Sequence, residues 1–159
     1  MKLCLVRHAP AVPRRRGVPD AGRPLTPSGR TRFRRAVAGL RRLDLRFDRV
    51  YHSPRRRAAE TADLLAPVLR GESVVTPSLA HLPSSALFAE VRGECVALVG
   101  HDPWLSMLAA WLVTGDRRLG PRFPMKKGGM IVLEGELRPG AMHLAASLPP
   151  KALRRMARR

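Results

Sequence analysis

The sequence predicts a single α/β domain over residues 1–159, built as three α/β/α layers around a mostly parallel sheet with an antiparallel edge. Three observations carry that prediction. Short unbroken apolar runs at residues 3–6 and 95–99 read as strands buried on both faces. Strand-like and helix-like stretches alternate as far as residue 113, the pattern of parallel strands joined by helical crossovers. Three strands are followed at once by polar or charged residues: Arg7-His8, Ser53 with Arg57 just beyond, and His101. In open α/β sheets the carboxyl ends of the strands form the edge where ligands bind.

Taken in order, Lys2-Leu-Cys-Leu-Val6 is the first strand, stopped by Ala9-Pro10. Residues 11–25 are rich in Pro, Gly and Arg and lack periodicity, so they predict a loop over the presumed site. Thr26-Pro27 opens a helix, with Thr26 as N-cap and Pro27 in the first turn. Phe33, Ala36, Val37, Leu40 and Leu43 follow at helical spacing, and arginines fill the other face. A second strand at 49–52 leads to a second helix over 55–69, with Ala58, Ala62, Leu65 and Val68 or Leu69 facing inward. Val74-Val75 is a short third strand, and residues 76–94 hold a loop and a short helix at 86–91. The strand at 95–99 is followed by a buried helix at 104–113. Residues 128–133 and 141–144 form the closing pair of strands. The tail, 151–159, is a short amphipathic helix or a frayed end.

Composition narrows the function. The net charge of +18 is almost all arginine, the chain has no Asn or Gln, and Ile131 is its single isoleucine. This substitution pattern is that of GC-rich coding, so part of the charge reflects the genome. The rest attracts phosphorylated or acidic partners. The arginine clusters are not interleaved with aromatics, so specific nucleic-acid recognition is not expected. The longest late apolar stretch, 104–113, is too short to cross a bilayer, and no leader segment is recognisable. A cytoplasmic monomer is expected. Cys4 and Cys95 lie in apolar strands without metal spacing and read as reduced core residues.

Parallel strands bring Arg7, His8, Ser53, Arg57 and His101 to one edge. Arg57, in the first turn of its helix, lies where free N–H groups and the helix dipole favour an anion. Two arginines, two histidines and a helix amino end make a phosphate pocket that needs no metal and no cofactor.

Four motifs, Leu5-Val-Arg-His-Ala-Pro10, Arg23-Pro-Leu-Thr-Pro-Ser-Gly29, Ser53-Pro-Arg-Arg-Arg-Ala-Ala-Glu-Thr-Ala62 and Val99-Gly-His-Asp-Pro103, together resemble the histidine phosphatase superfamily, the phosphoglycerate mutase-like fold. The short chain, Arg-Pro-Leu-Thr and Lys126-Lys127-Gly128-Gly129 resemble its small SixA-like bacterial branch, named for a phosphohistidine phosphatase. The resemblance implies that His8 is the nucleophile and forms a phosphohistidine intermediate that water cleaves. It implies that Arg7 and Arg57 clamp phosphate and that His101 stabilises the transferring oxygens. Ser53, Arg23, Asp20 and Lys126 are the expected substrate contacts.

The chain also departs from that pattern. Ala9 stands where Gly is usual, and Glu60, where Gln is frequent, reads as a surface change. The Ser78-Leu-Ala-His-Leu-Pro83 stretch has no carboxylate to act as general acid, leaving Asp20, His81 or solvent. That gap favours an N–P bond, as in protein phosphohistidine, over small phosphate esters. The expected partner is a phosphate-bearing substrate, a phosphohistidine protein domain among the candidates. A non-catalytic domain binding phosphoprotein or nucleic acid is the reading from another class. Asp102 is expected to cap the helix after it, Trp104 and Trp111 to lie in the core, and His52 and His143 to be structural.

Overall fold

The computed structural model describes residues 1–158, and the expectation for Arg159 lies outside them. Six strands form one sheet: β1 (Lys2–Arg7), β2 (Phe47–His52), β3 (Leu69–Val75), β4 (Cys95–Gly100), β5 (Met130–Gly135) and β6 (Met142–Leu148). Their order is β3-β2-β4-β1-β5-β6. The first four in that order are parallel, β5 is antiparallel to β1, and β6 is antiparallel to β5.

Alternation along β1 divides the core into two. Cys4 and Val6 face a layer built from α1 (Pro27–Arg42), α2 (Arg56–Asp63) and α5 (Pro150–Met156). Leu3 and Leu5 face the opposite layer, which holds α3 (Ser85–Glu90) and α4 (Trp104–Thr114). The three-layer α/β fold expected from the sequence is therefore present. Cys4 is buried, Cys95 is half-buried, and both are free thiols. Among the described residues no helix is long and apolar enough to cross a membrane.

Helix α1 starts where the sequence places it. The Gly29 N–H donates to Thr26 Oγ1 at 2.9 Å, and Pro27 occupies the first turn. Gly29 is required there because a Cβ would lie 2.2 Å from the carbonyl oxygen of Pro10. The helix thus begins against the backbone that follows His8. It ends at Arg42, which corrects the expectation for Leu43: that side chain is 48% exposed and takes no part in the apolar stripe.

Helix α2 is shorter than expected. It ends at Asp63, a 3-10 turn takes Ala66–Val68, and β3 begins at Leu69, well before Val74-Val75. Pro67 explains the break, since it has no N–H to donate and disfavours helical geometry at the residue before it. Leu65 and Val68 are still fully buried, so the apolar spacing reports packing across the turn.

Candidate active site

Three parallel strands end side by side and are locked together by their backbones. The His8 N–H, just past β1, donates to Gly100 O at 3.0 Å, and the Ser53 N–H, just past β2, donates to Val99 O at 3.0 Å. On the other side the Gly128 N–H donates to both Arg7 O (3.0 Å) and His8 O (3.1 Å). Gly128 has φ +76°, a turn geometry that suits glycine.

His8 is fixed in one tautomer. Its Nδ1 lies 2.7 Å from the Ala9 carbonyl, which can only accept, so Nδ1 carries the proton. The bare Nε2 accepts from Arg57 Nε at 3.3 Å. Burial, partly offset by the bond to Ala9, and then the charges of Arg57, Arg7 and Lys127 push its pKa down to about 4. The imidazole is neutral at neutral pH.

His101 is the mirror case, its ring centroid 5.2 Å from that of His8. Its Nε2 lies 2.8 Å from Ser53 Oγ, which already accepts from the Arg55 N–H at 3.2 Å. When the Ser53 hydroxyl donates to Nε2, the His101 proton is on Nδ1. That Nδ1 is buried and has no partner among the described residues, and neither does Arg7 Nε. Buried polar groups are normally satisfied, so these two atoms are what an anion in the cleft would satisfy. Burial, followed by Arg57 and His8, lowers the His101 pKa to about 3.

The arginines differ in their supports. Arg7 Nη1 donates to Met125 O at 2.5 Å and lies 3.1 Å from Asp102 Oδ2, while Asp102 Oδ1 accepts from Ser106 Oγ at 2.9 Å. This corrects the expectation for Asp102, because the N-cap of α4 is Pro103 and no side chain caps it. Of the arginine triplet at 55–57, Arg57 is buried, Arg56 is exposed on Glu60, and Arg55 lies over the Trp104 ring at 5.1 Å. Thr61, one turn beyond Arg57, donates to Arg57 O and accepts from the Ala9 N–H, tying α2 to the end of β1.

Asp20 faces the cleft as a counter-ion. Its Oδ1 pairs with Arg14 (3.0 Å) and Arg23 (2.8 Å), and its Oδ2 pairs with Arg55 (3.3 Å) and Arg57 (3.1 Å). Desolvation alone would raise its pKa, but the bonds and charges of Arg23 and Arg57 outweigh it and hold the carboxyl far below the usual range. Asp20 is thus ionised and no proton donor, which removes it as general acid. As an anion it pairs with Arg57, the guanidinium expected to hold a substrate phosphate. Arg23 donates to Asp20 and to Val12 O (2.6 Å). Lys126 is exposed and makes no hydrogen bond or ion pair with these groups, whereas the charge of Lys127 reaches His8.

Four further residues matter here that the sequence reading placed elsewhere or did not single out. Glu60 is no surface change, since its Oε2 accepts from the Leu25 N–H (2.7 Å) and pairs with Arg30 (2.6 Å), anchoring the loop to α2. Trp104 is a half-buried wall rather than core, 6.2 Å from the His101 ring and 6.3 Å from exposed His81. Asp102 and Thr61 complete the set. Thr61 had a usable signal, its four-residue spacing from Arg57 on one helix.

Residues 3–82 match the model of the histidine phosphatase superfamily (branch 1). An uncharacterized protein of Picosynechococcus sp. (strain PCC 7002) is 34% identical over 154 residues, covering 92% of this chain and 90% of that one. The chain belongs to the histidine phosphatase superfamily. Membership makes it a phosphatase, a hydrolase of phosphoryl groups. Solved structures of other histidine phosphatases share the fold. The protein histidine phosphatase SixA complexed with tungstate superimposes with a TM-score of 0.79 at 22% identity, covering 96% of this chain and 99% of that one. The α-ribazole phosphatase of Shigella flexneri gives 0.76 at 18% identity, covering 94% and 97%.

Proposed function

We propose that this protein hydrolyses protein phosphohistidine, with His8 as nucleophile. One observation carries the reading: His8 is neutral, its Nδ1–H is anchored to Ala9 O, and the bare Nε2 is presented at Arg57. In this scheme Arg7, Arg57 and the Nδ1–H of His101 hold the phosphoryl oxygens. Nε2 forms a bond to phosphorus as the bond to the leaving group breaks. Water then attacks the phosphohistidine of His8, releasing inorganic phosphate and returning the lone pair. Most of the acceleration comes from positioning and from fixed charge at the equatorial oxygens.

The substrate class follows from the missing acid. An alkoxide needs a proton as it leaves, and Asp20 is pinned as an anion by four arginines. A phosphoramidate nitrogen takes its proton from solvent more readily, which supports an N–P substrate over a small phosphate ester. The site works in this reading without metal or cofactor, in a monomer, and the free thiols are in keeping with a reducing cytoplasm.

The test is single-turnover dephosphorylation of phosphohistidine and of p-nitrophenyl phosphate by wild type and His8→Ala, with EDTA present. Wild type should act much faster on phosphohistidine, and His8→Ala should lose at least about 10³-fold on both. Comparable wild-type rates on phosphohistidine and on an alkyl ester, phosphoserine, run in parallel would refute the N–P preference. Activity surviving in His8→Ala would refute the nucleophile.

A further inference from the structure

Beyond the cleft the charge is not evenly balanced. Neither α1 nor α5 contains an Asp or Glu, and these two helices pack on each other in the same layer. On them lies a cavity of about 230 Å³ lined by Arg32, Lys126, Lys127 and Arg154 over an apolar floor that includes Phe33 and Pro150. A neighbouring hollow of about 310 Å³ shares Arg154 and adds Arg35, Lys151, Arg155 and Arg158. No carboxylate lines either one. Among the described residues none of these eight cations is paired, in contrast to the four arginines gathered on Asp20. Three of the chain's four lysines, Lys126, Lys127 and Lys151, are here. A coding bias towards arginine does not explain lysines concentrated on one face.

The face adjoins the catalytic edge. Gly128, the next residue after Lys127, lines the first cavity and donates its N–H to the carbonyl of His8. Pro10, two residues past His8, lines the same cavity. A partner seated on α1 and α5 is therefore beside the nucleophile. We infer that this face docks an acidic protein segment and so presents that protein's phosphohistidine to His8, an inference that rests on the phosphohistidine reading above. Acidic protein fits better than nucleic acid because the face has no exposed aromatic ring on which a base stacks, and Phe33 is buried in the floor. The apolar floor instead suits an aliphatic side chain set among carboxylates. Complementary charge of this kind speeds encounter and fixes register.

The experiment compares a triple charge reversal on the face, R32E/R154E/R155E, with a matched reversal of exposed arginines elsewhere, R70E/R92E/R122E. Both variants should turn over p-nitrophenyl phosphate at the wild-type rate, which also shows that they fold. On a phosphohistidine peptide flanked by glutamates, the face variant should lose roughly tenfold or more in kcat/KM and the control less than about twofold. Equal losses would overturn the inference in favour of diffuse charge. Binding of a fluorescent polyglutamate peptide at physiological salt reads the face without turnover. Loss of binding in the face variant alone supports docking even if phosphohistidine proves not to be the substrate. Single-stranded DNA that binds as tightly, and is lost in the same variant, would overturn the assignment to protein.

Discussion

The two walls of the cleft are made differently. One is the sheet edge, where His8, Ser53 and His101 are buried and the backbone at each strand end is bonded to its neighbour. The other is the loop at 11–25, in which residues 13–19 are all exposed and a single bridge joins Ala11 to Leu25. The edge supplies groups whose position matters to fractions of an ångström, a bare nitrogen and a donor N–H. The loop supplies mainly a charge, Asp20, held by four arginines and by the Glu60 anchor at its far end. Fine geometry comes from strands, and electrostatic balance comes from an exposed segment held by ion pairs.

The strongest way to break this comparison is to titrate the rigid wall. Free-enzyme kcat/KM, corrected for ionisation of the substrate, should stay flat from pH 7 to about 5 and fall about tenfold per unit only below about 4, where His8 takes up a proton. An acid limb at an ordinary histidine value near 6.5 would mean that the ring is not desolvated. Both histidines bind protons more weakly folded than unfolded. Stability is therefore fully present above about 6.5 and declines as pH falls towards about 4 for His8 and about 3 for His101.

The loop wall is tested by Asp20→Asn, which keeps the shape and removes the charge that competes for Arg57. Inorganic phosphate, as product inhibitor, should bind on the order of fivefold more tightly, the equivalent of about 1 kcal/mol for a partly exposed ion pair. An unchanged or weaker inhibition constant would show that Asp20 only braces the loop. The smallest effect on turnover is expected from Glu60→Ala, which orphans the Leu25 N–H and frees Arg30. Stability should drop by about 1–2 kcal/mol by denaturant melt. KM should rise with kcat within about twofold, because the anchor serves the loop and not the strand ends. A kcat loss as large as the rise in KM would show that the walls are not independent.

Much of this arrangement is legible in the chain. The apolar run before Arg7-His8, the cap at Thr26 and the recurrence of polar residues after three strands lead to the sheet edge directly, because strand burial and helix starts are set by neighbours in sequence. Helix length was less legible. The apolar spacing of Leu65 and Val68 continues the pattern of α2, yet Pro67 turns the backbone and Leu69 enters a strand. The partners of charged side chains were least legible. Asp102 lies just before a helix and Glu60 midway along one, where a cap and a solvated role are the respective local expectations. Their actual partners, Arg7 and the Leu25 N–H, are 95 and 35 residues away in sequence. Pairing of that kind is decided by the fold, after the strands have been laid down.

The exposed stretch at 13–19 has a consequence for how such a protein can diversify. Its one internal backbone bond joins Val18 to Arg15, and none of its residues supports His8 or His101. Insertions or deletions there would alter what covers the cleft without shifting the nucleophile, and doubling the loop would cost only about 0.6 kcal/mol in closure entropy. Lineages can thus revise which molecules are admitted while inheriting the reaction unchanged.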